Sequence, residues 1–271
     1  MCRWLAYLGD PIRLDKLLYT AEDAFVGQSL HSRQSTHPVN GDGSGLGWYS
    51  CGPQPGLFRT TRPAWNSGNL RDLSDQLESH LFFAHVRATS GTAIQESNCH
   101  PFRYRDRLFQ HNGVIQGYDK LKKPMDMAVR DDLYPLMEGS TDTERLFYLA
   151  LTFGLLEDVG GGLSRMVRFV EETASNLGID NPITMTAAVG APNGIHAVRY
   201  SSDGESPTLY HSHDLHSLRV ADGDVETLPD ACVLLLSEPL DDVPSHWQEV
   251  PESSLLTVTT DHVDSTPFPL E

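Results

Sequence analysis

The sequence predicts an α+β fold in which two stacked, largely antiparallel sheets are covered by helices, and three observations carry that expectation. The run Leu81 to Ala84, leading to Val86, is apolar on both faces, as a strand buried between two layers requires. Two helical patterns occupy the middle of the chain, and strand patterns dominate from Pro182 onward. The 271 residues lie near the upper end of what one hydrophobic core organises, and no repeat or linker divides them, so residues 1–271 are expected to form a single domain.

In chain order, Arg3 to Gly9 reads as a short strand and Ile12 to Thr20 as a helix with Leu14, Leu17 and Leu18 on one side. Residues 40–47, Asn-Gly-Asp-Gly-Ser-Gly-Leu-Gly, read as a glycine-rich loop running into the strand-like Trp48-Tyr49-Ser50. Their spacing and context fail the G-x-G-x-x-G phosphate fingerprint, which needs a strand before it and a helix after it. A helix is expected near Leu70 to Glu78, then the Leu81 to Val86 strand, then a strand near Leu108 to His111. Thr141-x-x-Glu144 has the form of a capping box, and Leu146, Phe147, Leu149, Ala150 and Phe153 follow at helical spacing, which predicts a helix over 141–155. A further helix is expected near Leu163 to Leu177, after a break at Gly160-Gly161-Gly162. The later strands are Ile183 to Val189, Ile195 to Tyr200, Leu209 to His211, Leu218 to Ala221, Cys232 to Ser237 and Leu255 to Thr259.

Composition narrows the function classes. With 20 Lys plus Arg against 37 Asp plus Glu, the net charge of -17 repels a phosphate backbone, so nucleic acid is not an expected partner. The longest apolar stretches, such as Ala231 to Leu236, fall far short of the roughly 20 residues that span a bilayer. Arg3 is followed by only Trp4 to Leu8 before Gly9, too little for a secretory signal, so a cytoplasmic location is expected. Cys2, Cys51, Cys99 and Cys232 show no C-x-x-C spacing, which sets aside zinc-ribbon and redox-pair readings. His211-Ser-His213-Asp-Leu-His216 alternates like a hairpin edge and reads as solvated loop histidines; no metal is assigned. Cys99 and His100 point to opposite faces if their segment is extended, so Cys99 reads as structural.

Cys2 carries the most chemistry. Removal of Met1 would leave one residue bearing a thiol, with a reference pKa of about 8.5, and a free α-amine of about 7.7 to 8.0, so nucleophile and base arrive together. Its bland alternative is a small buried hydrophobe. His111-Asn112-Gly113 closes a strand with a side-chain amide beside an unencumbered backbone N–H, which suits an oxyanion, although an ordinary Asn-Gly turn has the same sequence. Arg87, leaving a buried strand, suits a bidentate grip on an α-carboxylate or a structural ion pair. Asp142, just after the Thr141 cap, suits a substrate ammonium or simply the helix dipole.

Met-Cys-Arg at the start, Asn40-Gly-Asp42-Gly43 before Trp48-Tyr49, Ala84-His-Val-Arg87, His111-Asn-Gly113 and Ser140-Thr-Asp-Thr-Glu144 together resemble the class II glutamine amidotransferases, over at least residues 1–155. That resemblance implies a four-layer αββα N-terminal nucleophile hydrolase sandwich forming a glutamine amidotransferase type 2 domain. It also implies Cys2 as nucleophile, Asn112 and Gly113 as oxyanion hole, and Arg87 and Asp142 as binders of the substrate's carboxylate and α-amine. Thr89 and Ser90 join the substrate-binding set, where the stretch departs from the family pattern, and Asn40 and Asp42 stand behind the nucleophile. Pro11-Ile-Arg-Leu14, Gln28-Ser29, Pro63-Ala-Trp65-Asn66 and Glu96 to Phe102 are similar to short stand-alone members, the fungal glutathione-degradation subunit and, less closely, ergothioneine-pathway γ-glutamyl hydrolases. Hydrolysis of a γ-glutamyl amide such as glutathione, or of glutamine, is the implied activity, through a glutamyl-thioester and without a cofactor. Two rival readings stand beside it: a glutaminase subunit delivering ammonia to a separate synthetase, and a non-catalytic binder of γ-glutamyl ligands. A peptidase or synthetase partner and a homo-oligomer stay open.

Overall fold

The computed structural model describes residues 2–21, 23–30, 39–89, 91–213, 228–229, 231–260 and 262–269. In chain order the elements are β1 (Arg3–Arg13), a π-helical turn (Lys16–Thr20), α1 (Phe25–Gln28), β2 (Ser44–Trp48), β3 (Gly56–Thr60), α2 (Gly68–Gln76), β4 (Glu78–Val86), β5 (Phe102–Tyr104), β6 (Arg107–Ile115), α3 (Tyr118–Ala128), α4 (Asp142–Thr152) and α5 (Val159–Asn176). They continue with β7 (Ile183–Ala191), β8 (Gly194–Ser201), β9 (Tyr210–Ser212), β10 (Cys232–Leu236), β11 (Trp247–Glu249), β12 (Ser254–Val258) and β13 (Val263–Pro267). A seven-stranded sheet has the order β11-β9-β10-β1-β4-β2-β3 and a six-stranded sheet the order β13-β12-β8-β7-β6-β5. Every pairing in both is antiparallel.

Strand alternation explains the layers. On β1, Leu5 and Tyr7 pack outward against Leu17, Leu18, Phe25 and Leu70, while Trp4, Ala6 and Leu8 face inward against Phe83, Ala188, Ala197 and Leu256. On the far side, Phe109, Ile115 and Met185 of the six-stranded sheet meet Leu121, Leu146 and Leu163 of α3, α4 and α5. The result is helix, sheet, sheet, helix, as expected. Each fully buried apolar side chain contributes about 1.5–3 kcal/mol. Polar links also cross the inner layer: Trp4 Nε1 donates to Thr186 Oγ1 at 3.1 Å, and Gln110 Nε2 to Leu5 O at 3.1 Å.

The helix expected over 141–155 forms as α4, where Thr141 Oγ1 accepts from Glu144 N at 3.3 Å. Glu144 completes a different loop from the reciprocal box. Its carboxylate accepts from Glu138 N at 2.8 Å and Gly139 N at 2.9 Å, tying the preceding turn to the helix.

Several expectations are corrected. Ile12 and Arg13 extend β1, pairing with Ser79 and Glu78 after a register shift, so no helix starts at Ile12; only Lys16–Thr20 is helical. Residues 44–47 belong to β2 and not to a loop. Their glycines serve close packing: a Cβ on Gly45 would lie 2.2 Å from His100 O, and one on Gly47 would lie 2.8 Å from Leu108. β6 does not end at His111-Asn112-Gly113 but runs on to Ile115, pairing with β7 throughout. The glycines at 160–162 lie inside α5, whose N-cap Asp158 accepts from Gly161 N at 3.0 Å. The unexpected α3 carries an internal Pro124, and the short β3, β5, β11 and β13 gave no pattern long enough to read. The expected strand Leu218 to Ala221 lies outside the described residues.

Candidate active site

Cys2 immediately precedes β1, whose first residue, Arg3, pairs with Val86 at the end of β4. Arg3 is buried and ion-paired with Glu238, and its Nη1 donates to Gln28 O at 3.0 Å, which anchors the strand directly behind Cys2. β4 ends there as well, and the chain continues through Arg87 and Ala88 past the thiol. Ala88 N approaches Cys2 Sγ at 3.4 Å. Burial pushes the Cys2 thiol pKa up, while the Ala88 N–H and the Arg87 guanidinium both favour the thiolate and oppose that rise.

A cavity of about 360 Å³ opens at Cys2 and is lined by Arg87, Thr89, Thr92, Gly113, Tyr118 and Asp142, among others. Arg87 is 3 % exposed; Nη2 donates to Thr92 Oγ1 at 2.6 Å and Nη1 to Asp42 O at 3.4 Å. No described carboxylate pairs with it, so the structural ion pair weighed for Arg87 is absent among the described residues. Asp142 heads α4 and accepts from Ile115 N at 3.0 Å through Oδ2, binding the helix to the end of β6. Thr89 Oγ1 hydrogen-bonds Thr92 N at 3.0 Å, closing the turn under Arg87.

Gly113 lines the cavity from the middle of β6 with φ of +149°, and a Cβ there would lie 1.9 Å from Thr184 O. That close approach, and not a turn, requires glycine. Asn112 does not line the cavity, although His111 and Gly113 on either side of it do. It is buried, shares the inward parity of Gln110 on β6, and its Oδ1 has no hydrogen-bond partner among the described residues. Asp42 stands behind the site: Oδ2 accepts from Thr89 N at 2.8 Å, and its N–H donates to Arg87 O at 2.9 Å. Asn40 is fully buried, with its N–H on Ser29 O at 2.8 Å, and lies outside the cavity wall. Ser90 lies outside the described residues.

Sequence reading missed three buried histidines beneath the site. The His85 and His100 rings touch at a tilt of 54° with centroids 4.0 Å apart, and His85 Nε2 lies 3.3 Å from His111 O. His111 Nδ1 lies 2.8 Å from Thr143 Oγ1 on α4. Burial lowers all three pKa values, that of His85 to about 3, so the group is neutral at pH 7. Only tertiary contact brings them together; the His85 and His111 motifs were visible, but no spacing links them. Cys99 is buried with Sγ 3.4 Å from Thr60 O, in keeping with a structural role. Among the described residues no group of three metal-ligating side chains forms, and His216 of the histidine-rich stretch lies outside them. No helix among them is long and apolar enough to cross a membrane.

Comparison with known proteins accords with this architecture. The family profile "Glutamine amidotransferases class-II" matches residues 19–188. The chain is 30 % identical to the probable glutamine amidotransferase DUG3 of Saccharomyces cerevisiae, over 95 % of this chain and 82 % of that protein. It is 27 % identical to the γ-glutamyl-hercynylcysteine sulfoxide hydrolase of Mycolicibacterium smegmatis, over 99 % of this chain and 100 % of that one. Among solved structures, a "glutamine aminotransferase class-II domain protein" from Silicibacter pomeroyi superimposes with a TM-score of 0.73 at 30 % identity, over 98 % of this chain and 99 % of that one. The Bacillus subtilis glutamine phosphoribosylpyrophosphate amidotransferase shares the fold alone, with a TM-score of 0.68 at 14 % identity over 99 % of this chain and 50 % of that one. Two antiparallel sheets between helical layers, with a cysteine heading the first strand, are the architecture of an N-terminal nucleophile hydrolase. Within that class the chain belongs to the class II glutamine amidotransferases.

Proposed function

We propose that residues 1–271 act as one amidotransferase domain that hydrolyses γ-glutamyl amides, with Cys2 as nucleophile once Met1 is removed. The observation that carries this reading is the meeting of Cys2, Arg87 and Asp142 on one cavity wall. Arg87 holds the substrate α-carboxylate and Asp142 its ammonium, which presents the γ-carbonyl to Sγ. The thiol proton passes to the α-amine of Cys2, and the S–C bond forms as the carbonyl oxygen takes the negative charge. Gly113 N–H receives that oxygen at the cavity wall, and the buried Asn112 side chain, whose Oδ1 has no partner among the described residues, joins it by turning its amide toward Cys2; donors so placed lower such barriers by a few kcal/mol. The C–N bond then breaks, the proton leaving with the amine, and water cleaves the glutamyl-thioester to glutamate and free thiol. Relatives named for γ-glutamyl hydrolysis and amidotransfer support the substrate class. A cytoplasmic location fits it.

The test pairs intact mass with turnover. Purified chain lacking Met1 is expected to release glutamate from γ-glutamyl peptides, with Cys2→Ala reducing the rate at least roughly 10³-fold. Equal turnover by Cys2→Ala sinks the reading. Turnover confined to glutamine, and only in the presence of a synthetase, favours ammonia delivery instead.

A further inference from the structure

Arg87 and Asp142 stand on opposite halves of the sandwich. Arg87 continues β4 of the seven-stranded sheet, its N–H on Gly43 O at 2.8 Å, while Asp142 heads α4 and holds Ile115 N of the six-stranded sheet at 3.0 Å. Among the described residues no strand ladder joins the two sheets, so neither ladder sets the distance between the two groups. Asn98 crosses that gap. It lies in the connection from β4 to β5, is fully buried, and stays off the cavity wall. Its Nδ2 donates to Ala93 O at 2.9 Å, next to Thr92, on which Arg87 Nη2 rests at 2.6 Å. Its Oδ1 accepts from Ser140 N at 2.8 Å, two residues before Asp142. A carbonyl on one side and an N–H on the other leave the amide a single orientation. The fit is close: a Cβ on Gly139 would lie 2.6 Å from Asn98 Oδ1 and 2.6 Å from Ser97 O.

We propose that Asn98 is a positioning residue: it sets the span between Arg87 and Asp142, so that the site selects a ligand with both an α-carboxylate and an α-ammonium over one with the carboxylate alone. The inference rests on the reading of Arg87 and Asp142 as the two grips on the substrate, and adds what holds them in relation. Both charged groups of an α-amino acid sit on one carbon, so the tolerance on that span is small, about 0.5 Å for a productive site. Each grip is held locally without Asn98, Arg87 by Thr92 and the Asp42 carbonyl, Asp142 by the N–H groups of Ile115 and Thr143. Asn98 instead fastens the loop that carries Thr92 to the turn that leads into α4. Loss of its amide leaves the carboxylate grip assembled and lets the head of α4 shift against it. The ammonium then loses its partner first.

Calorimetry with L-glutamate and with glutarate, which lacks only the α-ammonium, on the purified wild-type chain and on Asn98→Ala reads that relation directly. Wild type is expected to bind L-glutamate about tenfold more tightly than glutarate, as one charge-assisted contact supplies. Asn98→Ala reduces that ratio at least roughly threefold, the size of a modest coupling between neighbouring groups. A purely structural role lowers the melting temperature and weakens both ligands alike, so a ratio reduced by less than threefold overturns the inference. Where Asn98→Ala does not fold, Asn98→Ser, whose hydroxyl ends one bond short of Ala93 O, is read against the same threshold. Equal binding of the two ligands by wild type is a different failure: it refutes the assignment of Asp142 to the substrate ammonium, and the inference falls with that reading.

Discussion

Replacing Gly113 by alanine tests the oxyanion geometry with a single methyl group. At φ of +149° the added Cβ lies 1.9 Å from Thr184 O, and even a tight contact needs 3.0 Å, so β6 or β7 must give way by 1.1 Å. Strain at that dihedral costs about 1–3 kcal/mol and overpacking about 1–3 kcal/mol more. The sum, roughly 2–6 kcal/mol, is a large fraction of the 5–15 kcal/mol typical of a folded domain. If Gly113 N–H receives the oxyanion, a displacement of about 1 Å also reduces turnover roughly 10²-fold. Urea unfolding reads the first effect, and hydrolysis of a γ-glutamyl peptide at saturating substrate reads the second. A folded Gly113→Ala protein with stability within about 0.5 kcal/mol of wild type refutes the packing argument. Turnover within about threefold of wild type refutes the catalytic one.

Two further outcomes follow from the site. Asp142→Asn keeps one acceptor for the two backbone N–H groups, of Ile115 and Thr143, that the carboxylate holds, and loses the charge that faces the substrate ammonium, so KM rises roughly 10- to 100-fold and stability falls by about 1–3 kcal/mol; an unchanged KM removes Asp142 from substrate binding. Burial lowers the His85 pKa from 6.5 to about 3, so below pH 6.5 the unfolded chain takes up a proton that the folded chain refuses. That contribution is complete above pH 6.5 and is lost as pH falls toward 3, at up to about 1.4 kcal/mol per unit for His85 alone. Urea titrations at pH 7, 6 and 5 should show a steeper loss in wild type than in His85→Asn, and parallel slopes would contradict the assignment.

Legibility varied with the physics of each element. α4 could be read because Thr141 and the apolar spacing are local signals, and the strand at Leu81 because burial on both faces leaves a continuous apolar run. The glycines misled at Gly45, Gly113 and Gly161, since their reason is an atom from a distant segment or a cap, and a turn has the same sequence. Cys2, Arg87, Gly113 and Asp142 line one cavity, and only a family resemblance links in sequence the motifs that carry them. Asn112 was placed at the end of its strand and sits within it, between two cavity-lining residues. The contact of His85 with His100 could not be foreseen, because a 4.0 Å ring contact between separate segments leaves no trace in spacing.

Cys2 has no slack, since the residue after it is already paired in β1 and held by Glu238 and Gln28. Under the proposed mechanism this makes ripening of the polypeptide an all-or-none event: any amino acid or affinity tag left ahead of Cys2 acylates the very amine that must accept the proton. The specific activity of a preparation then reports its processed fraction. Thiol titration with a glutamine-like electrophile, divided by the fraction lacking Met1 by mass, should give a stoichiometry of one.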